Sequence, residues 1–329
     1  MQITILSEAE LRQCVILDQE TIAAIESAFS QLAEGGVVMP PILRLDIPEN
    51  NGEVDVKTAY VPNVDSFAIK VSPGFFDNPQ LGLPSLNGLM ILLSAKTGLL
   101  EAILLDNGYL TNIRTGAAGA VAAKHLANKE IETVGVIGAG KQGRFQMKAL
   151  KLVRDFKKVL VYDIRAASLD AYCEEMSATL GVEVIAAASE EALVRSSQVV
   201  VTTTPSKSPH LKAEWLHAGL HITAMGSDAE DKQELFVDVM GQADVVVCDK
   251  KTQAFRLGEI HHALEAGKLA TDSPIIELGD ITSGKHLGRT HPDQVTICDL
   301  TGTGVQDTAI ARLAFQKALK AGLGTKFET

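Results

Sequence analysis

Short apolar runs alternate with helical patterns through the second half of the chain. Residues 134–137 form a run typical of a strand that is buried on both faces, and a helical stripe follows it directly. Strands and helices then alternate, which predicts an α/β domain with a doubly wound parallel sheet. The strands are expected at residues 134–137, 159–162, 182–187, 199–204, 221–225, 244–248 and 295–298. Because ligands bind beyond the carboxyl ends of such strands, the side chains at these ends are candidate functional residues.

The first third of the chain has a different pattern. A helix is predicted over residues 18–35, where Asp18 can cap the first turn. Sequential strands with short turns follow, which predicts an antiparallel sheet in a second, α+β domain; they are expected at residues 54–60, 67–71, 89–94 and 99–105. The last two form a hairpin with two strongly apolar arms, so another subunit could cover its second face. A small-residue helix is predicted at 115–126, and the last helix is predicted to begin near Val305.

Three glycines follow the first strand of the predicted parallel sheet with the spacing G-x-G-x-x-G. Gly138 allows a tight turn, Gly140 removes a side chain where a pyrophosphate would contact the backbone, and Gly143 allows helix and strand to pack closely. The next strand ends in Asp163, which can accept hydrogen bonds from a ribose 2′-hydroxyl. This order predicts a dinucleotide site; the alternative is an ordinary turn that uses glycine only for packing. Asp163 favours NAD over NADP, although Arg165 leaves NADP open.

Length and composition narrow the class of protein further. At 329 residues the chain exceeds one hydrophobic core, which favours two domains. The formal net charge of −11 argues against a nucleic-acid partner, and no uninterrupted apolar stretch is long enough to predict a membrane span. The four cysteines are scattered without a C-x-x-C pair and are expected to be reduced thiols. Together with the lack of a signal-type segment, they predict a cytoplasmic protein.

Three cations of the first domain lie beside apolar or small residues: Arg44, Lys70 and Arg114. Each could be a solvated side chain whose stem lies along the sheet. The alternative is a clamp for a carboxylate, a group that the arginine guanidinium matches in shape. Asp307, in the first turn of the last helix, fits a ligand-contacting role and a helix-dipole role equally well.

The pair His261 and His262 raises the question of a metal site. Adjacent residues on a helix point about 100° apart, since a turn takes about 3.6 residues, so the two rings make a poor chelating pair. The sequence shows no carboxylate–histidine set with ligand spacing, and no metal is expected.

Five segments, taken together and in order, carry a resemblance to a known family. They are Arg114-Thr115 before the small-residue helix, the glycine turn at residues 138–143, and residues 202–206, 226–235 and 302–307. Over nearly its whole length the chain resembles the ornithine cyclodeaminase/μ-crystallin family. Residues 55–62, 70–79 and 299–310 are most similar to its branch of ectoine-utilisation cyclodeaminase-like proteins. The resemblance implies a homodimer with a substrate-binding and dimerisation domain (residues 1–119 and 306–329) and an inserted NAD-binding Rossmann domain (residues 120–305).

The resemblance also implies roles for individual residues. Arg44, Lys70 and Arg114 match the cations that bind the substrate carboxylate, with Lys70 also counted as catalytic, and Asp228 matches the catalytic aspartate. These four side chains are expected to converge around the nicotinamide. Cofactor contacts are expected from Thr115, Gly138, Gly140, Lys141, Gln142, Gly143, Asp163, Arg165, Thr203, Thr204, Pro205, Ser206, Met225, Gly226, Ser227 and Gly304.

One departure from the family pattern affects the expected reaction. Ornithine cyclodeaminases carry a second catalytic glutamate, and the matching position holds Ala59; Glu53 or Asp55 could substitute. The expected function is NAD(H)-dependent hydride transfer at the Cα of a small amino or imino acid, with cyclodeamination of a diamino acid as the leading reaction. Three alternatives stay open: reduction of a cyclic imino acid such as Δ1-pyrroline-2-carboxylate, oxidation of an acyclic amino acid, and a non-catalytic NAD(P)H-binding role.

Overall fold

The computed structural model describes residues 2–328 and divides into two compact units. The first unit is the chain up to Arg114 together with the segment from Thr303 onward, and the second unit is Thr115–Gly302. The domain boundaries expected from the sequence, after residues 119 and 305, lie a few residues further along the chain.

Strands and helices alternate along most of the chain. The strands are β1 (Gln2–Ser7), β2 (Leu43–Ile47), β3 (Gly52–Thr58), β4 (Ser66–Phe75), β5 (Leu89–Ser94), β6 (Leu100–Leu105), β7 (Thr133–Ile137), β8 (Lys158–Tyr162), β9 (Glu183–Ala186), β10 (Val199–Thr202), β11 (His221–Ala224), β12 (Val245–Cys248), β13 (Ile276–Glu277), β14 (Thr296–Asp299) and β15 (Thr325–Glu328). The helices are α1 (Glu8–Cys14), α2 (Gln19–Glu34), α3 (Tyr109–Leu126), α4 (Lys141–Val153), α5 (Ala166–Leu180), α6 (Glu190–Ser196), α7 (Val237–Gln242), α8 (Lys251–Ala254), α9 (Glu259–Glu265), α10 (Leu278–Thr282) and α11 (Gly304–Ala321).

The first unit contains a seven-stranded sheet with the order β15-β1-β6-β5-β4-β3-β2. The strands that the sequence predicts here are antiparallel, as expected. Strand β1, which was not predicted, runs parallel to β6. A parallel pair needs a long crossover connection, and two helices and four strands separate β1 from β6 along the chain.

The two faces of this sheet differ in how they are covered. On the inner face, Ala68, Leu92 and Leu104 are fully buried, and the amide of Ala68 donates to the hydroxyl of Thr308 on α11 at 3.1 Å. The opposite face, here called the outer face, carries apolar side chains that are partly or largely exposed: Leu43, Leu45, Val54, Val56, Phe67, Ile69, Leu89, Ile91, Ile103 and Leu105. The register of the paired strands places these side chains next to one another.

The second unit contains an eight-stranded sheet with the order β13-β12-β14-β11-β10-β7-β8-β9, in which every neighbouring pair is parallel. Two apolar clusters sandwich this sheet: Ile137 and Ile222 belong to one, and Val136 and Val201 to the other. The doubly wound α/β prediction is therefore confirmed. The strand order reverses between β7 and β10, and sheets of this type bind ligands at such a switch point.

Two element boundaries differ from the predicted ones. Helix α3 begins at Tyr109, well before residue 115, because Asp106 Oδ2 accepts the amide of Leu110 at 2.8 Å in the first turn. Strand β10 ends at Thr202 because the amide of Thr204 donates to the carboxylate of Glu234. Strands β1, β2, β13 and β15 and helices α1, α7, α8 and α10 lie outside the predicted set.

Two general features bear on the class of protein. Across residues 2–328, no helix is both long enough and apolar enough to span a bilayer. The four cysteines are free thiols, of which Cys248 and Cys298 are buried. The cytoplasmic location stays a prediction.

Candidate functional site

The glycine turn of the second unit has the geometry that its spacing predicts. Gly138 follows β7 with a φ of 105°, and a Cβ there would lie 2.6 Å from Thr203 Oγ1. A Cβ on Gly143 would lie 2.2 Å from the carbonyl oxygen of Gly138, so only glycine lets the two segments approach. A Cβ on Gly140 would meet no atom within 4 Å. The backbone at Gly140, the N-cap of α4, is therefore open to a ligand.

Asp163 lies at the end of β8 and is tied to the same turn. Its Oδ2 accepts the amide of Ala139 at 2.9 Å, and its Oδ1 accepts the amide of Arg165 at 2.8 Å. A carboxylate oxygen can accept more than one hydrogen bond, so these contacts leave capacity for ribose hydroxyls. The side chain of Arg165 is largely exposed beside Asp163, with 3.5 Å between its Nε and Oδ1.

Arg144 is a further residue of this turn, and the sequence reasoning missed it. Its guanidinium donates to the carbonyl oxygens of Ala139 and Gly140 and pairs with Glu175 at 2.6 Å. The predicted residues Lys141 and Gln142 occupy the first turn of α4. A cation directly after the third glycine was the available signal for Arg144, whose contacts stabilise the turn.

The residues predicted after β10 and β11 lie on two adjacent loops of the second unit. They are Thr203, Thr204, Pro205 and Ser206 on one loop and Met225, Gly226 and Ser227 on the other. Because β10 and β11 are parallel neighbours, both loops leave the sheet at the same edge. Glu234, a buried acid that was not predicted as a site residue, accepts the amides of Thr204 at 2.6 Å and of Gly226 at 2.8 Å.

Asp228 lies on the loop that follows β11. Its carboxylate is 43% exposed and lies 2.8 Å from the ammonium nitrogen of Lys232. Within the described part of the chain the next helix, α7, begins only at Val237. Asp228 is therefore not the N-cap residue of a helix.

Two of the three predicted clamp cations meet in the first unit. Lys70 Nζ lies 3.1 Å from Asp307 Oδ2, and Arg114 Nε lies 3.0 Å from Asp307 Oδ1. Arg114 also donates to Gln306 Oε1 at 3.3 Å. All of these side chains are buried, and Asp307 is fully so. Asp307 thus lies in the first turn of α11, as predicted, but its carboxylate pairs with the two cations.

Burial and charge together set the protonation of this cluster. Burial lowers the pKa of Lys70, the positive charge of Arg114 lowers it further, and Asp307 opposes both, which leaves this pKa at about 7. Burial raises the pKa of Asp307, but the positive charges of Lys70, Arg114 and Lys57 together outweigh this effect and hold that pKa below its usual value. The cluster therefore combines a permanent cation, a permanent anion and an ammonium group that titrates near neutral pH.

Arg44, the third predicted cation, does not pair with Asp307. It lies on β2, two strands from Lys70, with its guanidinium 2.8 Å from Asp46 and 2.7 Å from Glu53. Glu53, one of the two proposed substitutes for the missing glutamate, is therefore engaged by Arg44. Asp55, the other substitute, is buried on the inner face, and its Oδ1 has no hydrogen-bond partner within residues 2–328.

Two other predicted cofactor residues have contacts within their own units. Gly304 begins α11, and a Cβ there would lie 2.2 Å from the carbonyl oxygen of Thr58, so close packing on the end of β3 requires glycine. Thr115 lies inside α3, where its carbonyl oxygen accepts from Gln146 Nε2 at 2.9 Å. Their contacts with a cofactor stay predictions.

His261 and His262 lie on α9 together with Glu265. The ligand atoms of the three residues lie within 4.8 Å of one another, so the statement that no carboxylate–histidine set has ligand spacing is wrong. His262 Nε2 lies 2.8 Å from the carbonyl oxygen of Lys232, and His261 Nε2 lies 3.6 Å from Glu265. The two ring centroids are 5.1 Å apart, and the ring planes are tilted by 54°.

Known proteins share both the sequence and the fold of this chain. A model of the ornithine cyclodeaminase/mu-crystallin family matches residues 1–322. An uncharacterized cyclodeaminase of Sinorhizobium fredii is 52% identical over 326 residues, which are 99% of this chain and 98% of that protein. The structure of Thermococcus litoralis Δ1-pyrroline-2-carboxylate reductase in complex with NADH and L-proline has a TM-score of 0.93 and 31% identity, covering 98% of this chain and 99% of that one. An archaeal alanine dehydrogenase dimer with bound NAD has a TM-score of 0.92 and 35% identity, covering 100% of this chain and 99% of that one. Because the sequence match and the structural match both extend over almost the entire chain, the protein belongs to the ornithine cyclodeaminase/mu-crystallin family.

Proposed function

We propose that the protein is an NAD(H)-dependent enzyme that acts at the Cα–N bond of a small amino or imino acid. The turn around Gly140 fits a dinucleotide, because open space there adjoins the first turn of α4, where N–H groups and the helix dipole favour phosphate. Asp163 would accept hydrogen bonds from the ribose hydroxyls, and the relatives with bound NAD or NADH support the same cofactor. Bound NAD supplies the chemistry of accepting or returning a hydride at the substrate Cα.

The observation that carries this proposal is the buried cluster of Lys70, Arg114 and Asp307. When Lys70 is protonated, the two cations outnumber the single carboxylate, and a substrate carboxylate would neutralise the excess charge. The guanidinium of Arg114 matches a carboxylate in shape, whereas Lys70 acts as a point charge. Arg44 would have to exchange Asp46 and Glu53 for the substrate in order to join them.

Asp228 would exchange a proton with the substrate nitrogen. Its carboxylate would take a proton from the substrate ammonium when the substrate is oxidised and return it when the substrate is reduced. The ammonium nitrogen of Lys232 lies 2.8 Å from this carboxylate and helps to hold it in place.

Cyclodeamination of a diamino acid is the leading reaction. Ala59 stands at the position of the second glutamate of ornithine cyclodeaminases, and buried Asp55 is the better substitute because Glu53 is paired with Arg44. The Sinorhizobium cyclodeaminase supports this reaction. Reduction of Δ1-pyrroline-2-carboxylate is the second candidate, which the Thermococcus relative favours, and oxidation of alanine is the third.

The test uses the full-length protein and distinguishes these reactions by their cofactor balance. Ammonia release from diamino acids with catalytic amounts of NAD⁺ would indicate cyclodeamination. Stoichiometric loss of NADH absorbance with cyclic imino acids would indicate reduction, and NADH formation from alanine would indicate a dehydrogenase. Binding of NADH without turnover of any of these substrates would contradict the proposal and favour a non-catalytic role.

We further propose that the protein is a homodimer built on the outer face of the first-unit sheet. Leu43, Leu45 and Leu105 on this face are 55%, 54% and 43% exposed, an exposure that a second copy of the chain would remove. The dimeric state of the alanine dehydrogenase relative supports this arrangement.

A further inference from the structure

Glu234 connects two loops of the second unit that leave neighbouring strands. Its Oε1 accepts the amide and the hydroxyl of Thr204 at 2.6 and 2.7 Å, and its Oε2 accepts the hydroxyl of Thr202 at 2.6 Å and the amide of Gly226 at 2.8 Å. The side chain has no exposed surface. Each carboxylate oxygen thus accepts two donors, which is the full capacity of an ionised carboxylate.

We infer that Glu234 is a positioning residue that holds the loop carrying Asp228. This loop begins at Gly226 and returns to Glu234, so the hydrogen bond between the Gly226 amide and Glu234 closes it upon itself. Two contacts inside the loop complete the arrangement: the hydroxyl of Ser227 donates to the carbonyl oxygen of Lys232, and Lys232 pairs with Asp228. The direction of the Asp228 carboxylate therefore depends on the closure that Glu234 provides.

At Gly226 the backbone lies very close to both Thr204 and Glu234. A Cβ on Gly226 would lie 2.1 Å from the carbonyl oxygen of Thr204 and 2.5 Å from Oε2 of Glu234. Only glycine permits this approach, so the backbone of Gly226 and the side chain of Glu234 are in direct contact.

The backbone of Glu234 is itself anchored. Its amide donates to Glu259 Oε1 at 2.8 Å, and its carbonyl oxygen accepts the amides of His210 at 2.8 Å and Leu211 at 3.0 Å. The amide of Leu235 donates to Glu259 Oε2 at 3.1 Å. Because the segment around Glu234 is fixed at both of its backbone groups, its side chain can act as a rigid support for the loop.

The charge state of Glu234 matters as well as its shape. In the variant Glu234→Gln the side chain keeps its size, but the amide nitrogen must face two donors, either from Thr204 or from Thr202 and Gly226. If it faces Gly226, the hydrogen bond that closes the loop is lost; if it faces Thr204, the side chain no longer accepts the amide of Thr204 and no longer links the two loops. The substitution therefore tests the contribution of the carboxylate while the volume of the side chain stays nearly constant.

The first experiment measures hydrogen exchange of backbone amides and does not depend on enzyme activity. Glu234→Gln is expected to speed exchange by at least about tenfold, either in the segment from Gly226 to Lys232 or at Thr204, because losing one well-made hydrogen bond has about that effect. Glu277→Gln is the matched control: Glu277 also accepts a backbone amide, that of Lys251 at 3.0 Å, but lies on the edge strand β13. Unchanged exchange in the Glu234→Gln protein would overturn the inference.

A second variant covers the case in which Glu234→Gln does not fold. Thr202→Val removes one hydroxyl donor to Glu234 and leaves the β-branched shape of the strand residue intact. It is expected to speed exchange at Gly226 by a smaller factor than Glu234→Gln does. An exchange rate equal to that of the unmodified protein would contradict the role of Glu234 in closing the loop.

The second experiment is a double-mutant cycle, and it rests on the proposed function because it assumes that Asp228 is catalytic. Glu234→Gln alone is expected to lower kcat by about 10²-fold, the effect of displacing a reacting group by about 1 Å, and to change the Kd of NADH by less than about threefold. In an Asp228→Asn background, the same substitution is expected to change kcat by less than about threefold, because its effect acts through Asp228. Equal effects in both backgrounds would overturn the inference. If Asp228→Asn alone leaves kcat unchanged, the proposed function fails, and the exchange experiment still decides whether Glu234 holds the loop.

Discussion

Lys70 Nζ lies 3.1 Å from Asp307 Oδ2, and this pair is buried, with the lysine 2% and the aspartate 0% exposed. The other oxygen of Asp307 pairs with Arg114, so one carboxylate neutralises part of the charge of two buried cations. Removal of one partner from a buried ion pair leaves an uncompensated charge, which is far more destabilising than the loss of an exposed pair. The relationship therefore determines how substitutions at this cluster affect both stability and substrate binding.

The substitution Asp307→Asn is expected to destabilise the protein strongly. The amide side chain would keep the shape but leave Lys70 and Arg114 without their counter-ion, so the free energy of unfolding should fall by about 3–5 kcal/mol. Urea denaturation measures this value. Asp46→Asn is the control, since Asp46 is 62% exposed in its pair with Arg44 and should contribute less than about 1 kcal/mol. Similar losses in the two variants would contradict the assignment of Asp307 as the central counter-ion.

The activity should depend on pH through Lys70. Because the pKa of Lys70 is lowered to about 7, its positive charge is lost as the pH rises through this value. A substrate carboxylate then loses one of its cations, so kcat/KM should fall above about pH 7. In the variant Lys70→Arg, the guanidinium stays charged and this alkaline decline should disappear. The measurement is the pH profile of kcat/KM for both proteins, and a decline that persists unchanged in the arginine variant would assign it to another group.

Asp228 should affect turnover much more than cofactor binding. Asp228→Asn removes the proton-exchanging carboxylate and is expected to lower kcat by about 10²- to 10⁴-fold, the usual contribution of a general acid–base group. The Kd of NADH, measured by fluorescence, should stay within about threefold of the original value. Asp231→Asn, on the same loop but paired with Lys207 at 2.7 Å, is the matched control and should leave kcat nearly unchanged. An unchanged kcat in the Asp228 variant would remove this residue from the mechanism.

Asp163 should decide the preference between NAD and NADP. Asp163→Ala removes the acceptor for the ribose 2′-hydroxyl and the charge that repels a 2′-phosphate, so the affinity for NAD should fall more than that for NADP. The variant also removes the acceptor of the Ala139 amide, which lies 2.9 Å from Oδ2. Fluorescence titration with NADH and with NADPH gives the Kd of each, and the comparison distinguishes recognition of the ribose from stabilisation of the turn. Equal losses would show that Asp163 acts by holding the turn and does not read the ribose.

The outer face should mediate dimer formation. Ile91 lies on the central strand β5 of this face, so Ile91→Glu would place a charge in the proposed interface and should shift the protein to a monomer. Light scattering coupled to size-exclusion chromatography should then give the mass of one chain, 35.1 kDa, and is expected to give twice that value for the unmodified protein. Ile185→Glu, on strand β9 of the second unit, is the control at an exposed apolar position. A dimer that survives Ile91→Glu would place the interface elsewhere.

Local patterns in the sequence were sufficient for the elements whose formation depends on local interactions. Asp18 caps α2 as predicted, with its carboxylate accepting the amide of Thr21 at 2.8 Å, because a cap and its helix lie within one turn. The glycine turn was equally predictable, since Gly143 packs on the carbonyl oxygen of Gly138 within the same short segment. Alternation of apolar runs with helical stripes likewise determined the parallel sheet of the second unit.

Only the tertiary structure decided which charged groups meet. Arg114 and Asp307 are 193 residues apart in the chain, and no local pattern indicates that a residue in the first turn of α11 pairs with two cations on α3 and β4. Glu234 reaches Thr202 and Gly226 only because β10 and β11 are neighbours in the folded sheet. Apolar periodicity reports which face of an element is buried, whereas an ion pair depends on the positions of two particular side chains, which chain folding alone brings together.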